Sequence, residues 1–263
     1  MEDGGGEATE VAAEDLEALV VSQVGVEDFG DFARFGEAGN TMSNIVSTSL
    51  RMGALVDSEA PTSNANATAD DLSNQDDEDG VTIPASIAIT ELGASNVPLT
   101  VNISNSTGVV AYLNAWMDLN DNGILTEANE KIIDDVQVPT GTNNLNRNFT
   151  FDIPPGTPLG VKGVRFRLTT TRSSDESGAT GVGEVEDYAV TILAANDFGD
   201  DSRLPMAGST VVNTLHIGPT VDAEVTPMTN VTATGDDLSD TDDEDGVTVP
   251  FVVVQGQTAS INV

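Results

Sequence analysis

The sequence predicts an all-β protein, an antiparallel β-sandwich carried between acidic, loop-rich spacers in tandem repeats. Three observations lead there. Between Val81 and Leu193 the apolar residues fall in short runs rich in Val, Ile, Thr and aromatics, separated by Gly, Pro, Asn and Asp clusters, which is the punctuation of strands and turns. The run DDLSNQDDEDGVTIP at residues 70–84 recurs as DDLSDTDDEDGVTVP at residues 236–250, a spacing of 166. Asp and Glu number 44 against 9 Lys and Arg, a net charge of −35, and the acids cluster rather than scatter.

Taken in order, residues 1–27 form a Gly- and Glu-rich lead holding a candidate last strand of a preceding unit, and residues 28–80 a first acidic spacer with little core of its own. Within that spacer Leu50, Met52, Leu55 and Val56 predict one short strand or turn, the rest wrapping onto the adjoining sandwich. Residues 81–195 are the sandwich. Strands are expected at Ser86 to Ile89, Pro98 to Ile103, Ala111 to Asp118, Ile132 to Val138, Asn146 to Ile153, Gly163 to Thr170 and Tyr188 to Leu193. Val164-Arg165-Phe166-Arg167-Leu168 alternates as a half-buried strand with one wet face, and Trp116 is expected to pack between the sheets. A second spacer covers 196–246, where Asp197-Phe198-Gly199-Asp200 repeats Asp28-Phe29-Gly30-Asp31. Residues 247–263 read as the first strands of a further, incomplete sandwich, so the chain is expected to be a window on an array or a subunit completed by neighbours.

The charge excludes several classes. So negative a surface repels nucleic-acid phosphates and anionic lipid, and no apolar run approaches the roughly 18 residues of a membrane span. With no cysteine and one histidine, disulfides, thiolate sites and multi-histidine metal sites are out, leaving oxygen-ligated cations as the obvious partners.

Three acidic constellations are candidate metal sites. The first is the repeated run: Asp70, Asp71, Asp76, Asp77, Glu78 and Asp79, with Asp28, Asp31, Asp57 and Glu59 upstream. Its second copy is Asp236, Asp237, Asp242, Asp243, Glu244 and Asp245, with Asp197, Asp200, Asp222 and Glu224. Crowded carboxylates repel, and calcium, which takes about six to eight oxygens in flexible geometry, relieves that. The plain alternative is solvated like charge. The second is Asp118-Leu119-Asn120-Asp121-Asn122-Gly123, whose alternate oxygens and sixth-position Gly match the start of a calcium loop, with Glu130 at the thirteenth position instead of the twelfth. A metal-free Asx turn is the alternative. The third is Gly183-Glu184-Val185-Glu186-Asp187-Tyr188, where alternation puts Glu184 and Glu186 on one face and Asp187 on the other. The paired glutamates admit a glycosidase reading, but no aromatic cleft or nucleophile set accompanies them, so an enzyme is not expected.

Trp116 to Gly123, Gly163 to Leu168 and Gly183 to Val190 together resemble the GEVED domain of bacterial surface proteins, and the Asp-Phe-Gly-Asp start and Asp-Asp-Glu-Asp-Gly-Val end resemble the spacer that alternates with it. The resemblance implies an extracellular or cell-surface, Ig-like sandwich in tandem arrays on adhesins, matrix proteins or fibres. The expectation is therefore a structural repeat of a calcium-stabilised stalk, adhesin or filament, assembling with adjacent repeats or copies of itself by strand exchange. The alternative is a calcium-dependent module binding surface glycans or matrix.

Overall fold

A computed structural model describes residues 27–39, 41–58, 60–69, 77–172, 177–212, 214–221, 223–224, 226–235, 246–248, 252 and 254–261. The lead over residues 1–26, with its expected strand, lies outside them. The first spacer contributes β1 (Glu27–Phe29), α1 (Ala33–Glu37), β2 (Met42–Ile45) and β3 (Leu50–Met52). The sandwich follows with β4 (Val81–Thr82), β5 (Ser86–Ile89), β6 (Ala94–Asn105), β7 (Ala111–Met117), β8 (Lys131–Val138), β9 (Thr142–Ile153), β10 (Gly160–Thr169) and β11 (Gly178–Ala194). The second spacer opens with β12 (Asn196–Phe198) and β13 (Gly208–Thr210).

All seven expected strands are present, several of them longer. The largest change is at the last, where the stretch from Gly178 to Asp187 is strand as well, because Gly178 to Val182 pair with β2 and the residues from Gly183 onward with β10, Asp187 opposite Arg165 and Glu184 opposite Leu168. One sheet runs β1-β2-β11-β10-β7-β8, with β5 also on β11, and the other runs β3-β6-β4, with β9 also on β6. The expectation of a purely antiparallel sandwich is corrected: β11 pairs in parallel with both β2 and β5. Parallel neighbours need a long crossover, and the chain between them, which builds the second sheet, supplies it.

The sheets face each other across one apolar core. Leu99, Val101, Ile103 and Ile153 come from one side and Leu113, Met117, Phe166, Val190 and Ile192 from the other, all nearly or wholly shielded from solvent. Leu50 and Met52 of β3 belong to this core, so the spacer is woven into the sandwich rather than resting beside it.

A second apolar cluster lies on the outer face of the larger sheet: Phe32 and Phe35 around α1, Met42 of β2, Ala67, Leu125, Val185 and Trp116. Trp116 is therefore buried, but not between the sheets. Leu113, Ala115 and Met117 take the inward positions of β7, and the period of two sends Trp116 outward, beneath the spacer. The wet face expected for β10 is corrected for the same reason, since the spacer covers Arg165 and Arg167 completely. Gly163 makes room here: a Cβ on it would stand 2.4 Å from the Phe32 ring.

Deleting a large apolar side chain from this second cluster removes transfer energy and leaves a cavity. Phe35→Ala is expected to destabilise the chain by about 3–5 kcal/mol, read as a lower urea midpoint with unchanged slope. An unchanged midpoint would mean that the spacer adds nothing to the fold.

Candidate functional site

The carboxylates of β11 hold the spacer by its backbone. On the outward face, Asp187 takes a two-pronged ion pair from Arg165, Nε to Oδ1 and Nη2 to Oδ2, both at 2.7 Å, and accepts the Phe32 N–H at 2.9 Å. The Arg165 guanidinium also lies over the Phe35 ring, 4.6 Å from its centroid. Asp28 returns the contact by accepting the Val185 N–H at 2.6 Å. Arg167 reaches across to β2, donating to Asn44 Oδ1 at 3.2 Å and to the Ser43 carbonyl at 3.2 Å. Asn44 in turn donates to the carbonyls of Leu168 and Glu184.

On the inward face, Glu184 and Glu186 sit under β3 and the chain entering β4. Glu184 Oε2 accepts the Met52 N–H. Glu186 Oε1 accepts the Gly80 N–H at 3.1 Å, and its Oε2 accepts the Tyr188 hydroxyl at 2.8 Å. The same hydroxyl accepts the Val81 N–H. Glu184 Oε1 is buried with no hydrogen-bond partner. Burial pushes both carboxyls well above the usual range, with Glu186, Asp28 and Asp77 adding repulsion at Glu184, and Asp79 and Asp77 at Glu186. Gly80 is required: a Cβ would lie 2.3 Å from Met52 Cβ and 2.5 Å from Glu186 Oε1. Asp77 and Asp79 brace the returning chain by accepting the Asp57 and Ala54 N–H groups, each at 2.9 Å.

The loop after β7 closes on itself. Asp118 accepts the Asn122 and Gly123 N–H groups at 3.1 and 2.8 Å, Asn122 Oδ1 accepts Ile124 N–H at 2.7 Å, and Asn120 Oδ1 accepts Asn122 N–H. Glu130 folds back to accept Leu119 N–H at 3.2 Å and Glu127 N–H at 3.3 Å. Burial, and then Asp118, raise the Glu130 carboxyl to about 7. Asp121 points the other way, bridging Arg34 of α1 at 2.5 Å and the wholly buried Lys162 at 2.6 Å.

The structure thus brings Asp28, Asp77 and Glu186 within electrostatic reach of Glu184, and Asp79 and Asp77 within reach of Glu186, and puts Asp118, Asn120, Asn122 and Glu130 in one loop. It separates Asp187 onto the opposite face of β11, as alternation requires. Asp31 instead staples the spacer to itself, accepting Ala69 N–H at 2.6 Å, and Asp200 does the same for Gly235 in the second spacer. Glu224 accepts Phe198 N–H at 2.7 Å. Glu59, Asp70, Asp71, Asp76, Asp222, Asp236, Asp237, Asp242, Asp243, Glu244 and Asp245 lie outside the described residues. Among the described residues no three acidic or imidazole groups already stand together as a metal-holding set, and no helix is long and apolar enough to cross a membrane.

Arg165, Arg167, Lys162, Asn44 and Tyr188 are functional in this arrangement and absent from the expected site. The available signal was scarcity: three of nine basic residues fall within six positions of one strand.

Fold and site define an all-β, sandwich-like domain whose terminal strand latches an acidic leader. A family model, that of the GEVED domain, matches residues 112–191, from β7 through most of β11. No curated protein matches the chain.

Asp187→Ala removes the two-pronged ion pair of the buried Arg165 and the acceptor of the Phe32 N–H, so a loss of about 3–5 kcal/mol is expected by chemical denaturation. A loss below about 1 kcal/mol would relegate the pair to packing. Glu130 carries a pH dependence. Its raised folded value means that the native state keeps a proton the unfolded chain has released, so the stability it contributes is present below about 4.5 and is lost as pH rises through about 7. Metal-free protein should therefore melt lower at pH 7.5 than at pH 5, and Glu130→Gln should reduce that difference.

Proposed function

We propose that the chain is a structural repeat of an extracellular, calcium-braced stalk, adhesin or filament, with sandwiches of Ig-like type arrayed on acidic spacers. The observation that carries the reading is Glu184 Oε1, a carboxylate oxygen buried without a partner among Glu186, Asp28 and Asp77. A buried anion in an anionic surrounding is costly unless it takes a proton or a cation. Calcium suits the second course, because its flexible oxygen coordination accepts carboxylates and water together.

The described oxygens spend most of their capacity on backbone N–H groups, so the remaining ligands are assigned to the acidic run ahead of Gly80, residues 70–79. The surplus of 35 negative charges favours cation uptake throughout. At millimolar calcium and affinities typical of extracellular modules, each ion adds about 1–2 kcal/mol, enough to decide whether the spacer stays docked.

Limited proteolysis in calcium and in chelator checks this. Chelator should accelerate cleavage between Gly53 and Gly80 several-fold, and Glu184→Gln should remain folded while losing most of the calcium effect. Equal resistance in both buffers would sink the reading.

A further inference from the structure

The described residues of the second spacer repeat the internal contacts of the first, and among the described residues no sandwich packs on them. β12 pairs with β13 as β1 pairs with β2. Asn230 N–H meets the Asp200 carbonyl at 2.8 Å as Asn64 N–H meets that of Asp31 at 3.0 Å. Asn230 Oδ1 accepts from Thr232 and Thr234 as Asn64 Oδ1 accepts from Asn66 and Thr68.

Leu215-His216-Ile217-Gly218 occupies the place of Leu50-Arg51-Met52-Gly53. Gly218 and Gly53 both have positive φ, 91° and 58°. The close glycine contact recurs too: a Cβ on Gly246 would lie 2.6 Å from Gly218 N, and one on Gly80 2.7 Å from Gly53 N. For Gly80 the remaining neighbours are Met52 Cβ and Glu186 Oε1, and for Gly246 they are atoms of Ile217, the counterpart of Met52.

What differs is cover. Leu50, Met52 and Phe35 are wholly buried, whereas Leu215 is 81% exposed, Ile217 60% and Leu204, the counterpart of Phe35, 66%. Leu215 and Ile217 also line an open groove of about 330 Å³ with Val211 and Val221. Three large apolar side chains in matching positions lie bare on a scaffold built to present them.

We propose that the second spacer, through Leu204, Leu215, Ile217 and Gly246, is a docking element whose occupant is a second β-sandwich of the kind formed by residues 84–195. The first spacer supplies the geometry. Leu215 to Ile217 pair with the occupant's counterpart of Ile103 to Asn105, as Leu50 to Met52 do here. The Ile217 and Gly246 N–H groups go to the counterparts of Glu184 and Glu186, and Leu204 lies under the counterpart of Arg165. A second copy of this chain is not the occupant, because its β6 edge and both glutamates are already engaged by its own β3 and Gly80.

This rests on the reading of the chain as a structural repeat, but not on calcium. The test extends the full chain by joining residues 85–195 after Pro250, which preserves the 166-residue register. The protein has no cysteine, so Ile217→Cys places a single thiol in the original and in the extended chain. A thiol reagent should modify it readily in the original and roughly tenfold or more slowly in the extended chain, with Met52→Cys slow in both.

Equal rates in the two chains would overturn the docking element, and so would a slow rate in the original chain that quickens on dilution, since that makes a second copy the occupant. Should the substitution itself disturb pairing, amide exchange at residues 215–218 in the cysteine-free extended chain decides, and lack of protection there overturns the proposal. Thiol protection unchanged by chelator would leave docking standing while the proteolysis experiment judges the calcium reading separately.

Discussion

Everything in this molecule turns on buried carboxylates that accept backbone N–H groups across the boundary between spacer and sandwich. Glu184 to Met52, Glu186 to Gly80, Asp187 to Phe32 and Asp28 to Val185 tie the two parts at four points, from both faces of one strand. A hydrogen bond to an ionised acceptor is roughly twice as strong as a neutral one. Leaving such a group bare inside the protein costs far more than forming the bond gains. The first spacer thus takes the sheet pairing of β3 and the acceptors for its Met52 and Gly80 N–H groups from the sandwich.

The rare cations follow from the same constraint. In a chain with 44 acids, a buried carboxylate can be matched only where one of nine basic residues is committed to it. Arg165 is spent on Asp187 and Lys162 on Asp121, both on the outer face of the larger sheet. The inner face has Glu184 and Glu186 with hydrogen-bond donors alone, and their carboxyls are pushed upward as a result. One strand therefore carries two electrostatic regimes, a neutralised side and an anionic side, separated only by the pleat.

How much of this was legible depends on the range of the interaction. The sandwich strands were, because alternation and turn residues are local, and Leu113, Phe166 and Ile192 fall inward where period two puts them. The split of Glu184 and Glu186 from Asp187 was legible on the same ground. The face of Trp116 and the burial of Arg165 and Arg167 were not, since both depend on Phe32, Phe35 and Met42 arriving from 74 or more residues upstream. The partner of the acidic stretch before Tyr188 was not legible, because alternation gives the faces of a strand while its pairing with β10 is a contact between distant positions. The spacing at Asp118 reads as a calcium loop or as a metal-free Asx turn, and the N–H groups that Asp118 accepts from Asn122 and Gly123 are common to both.

The parallel pairing of β2 with β11 has a bearing on how the polypeptide is made. Met42 lies beside Gly178, so the nascent leader leaves the ribosome long before its neighbour exists. At typical elongation rates of about 5–20 residues per second, that interval is roughly 7–27 s. Throughout it the emerging leader must stay unsatisfied and soluble, a state to which its density of negative charge is well suited, because mutual repulsion holds waiting chains apart until the last strand is translated.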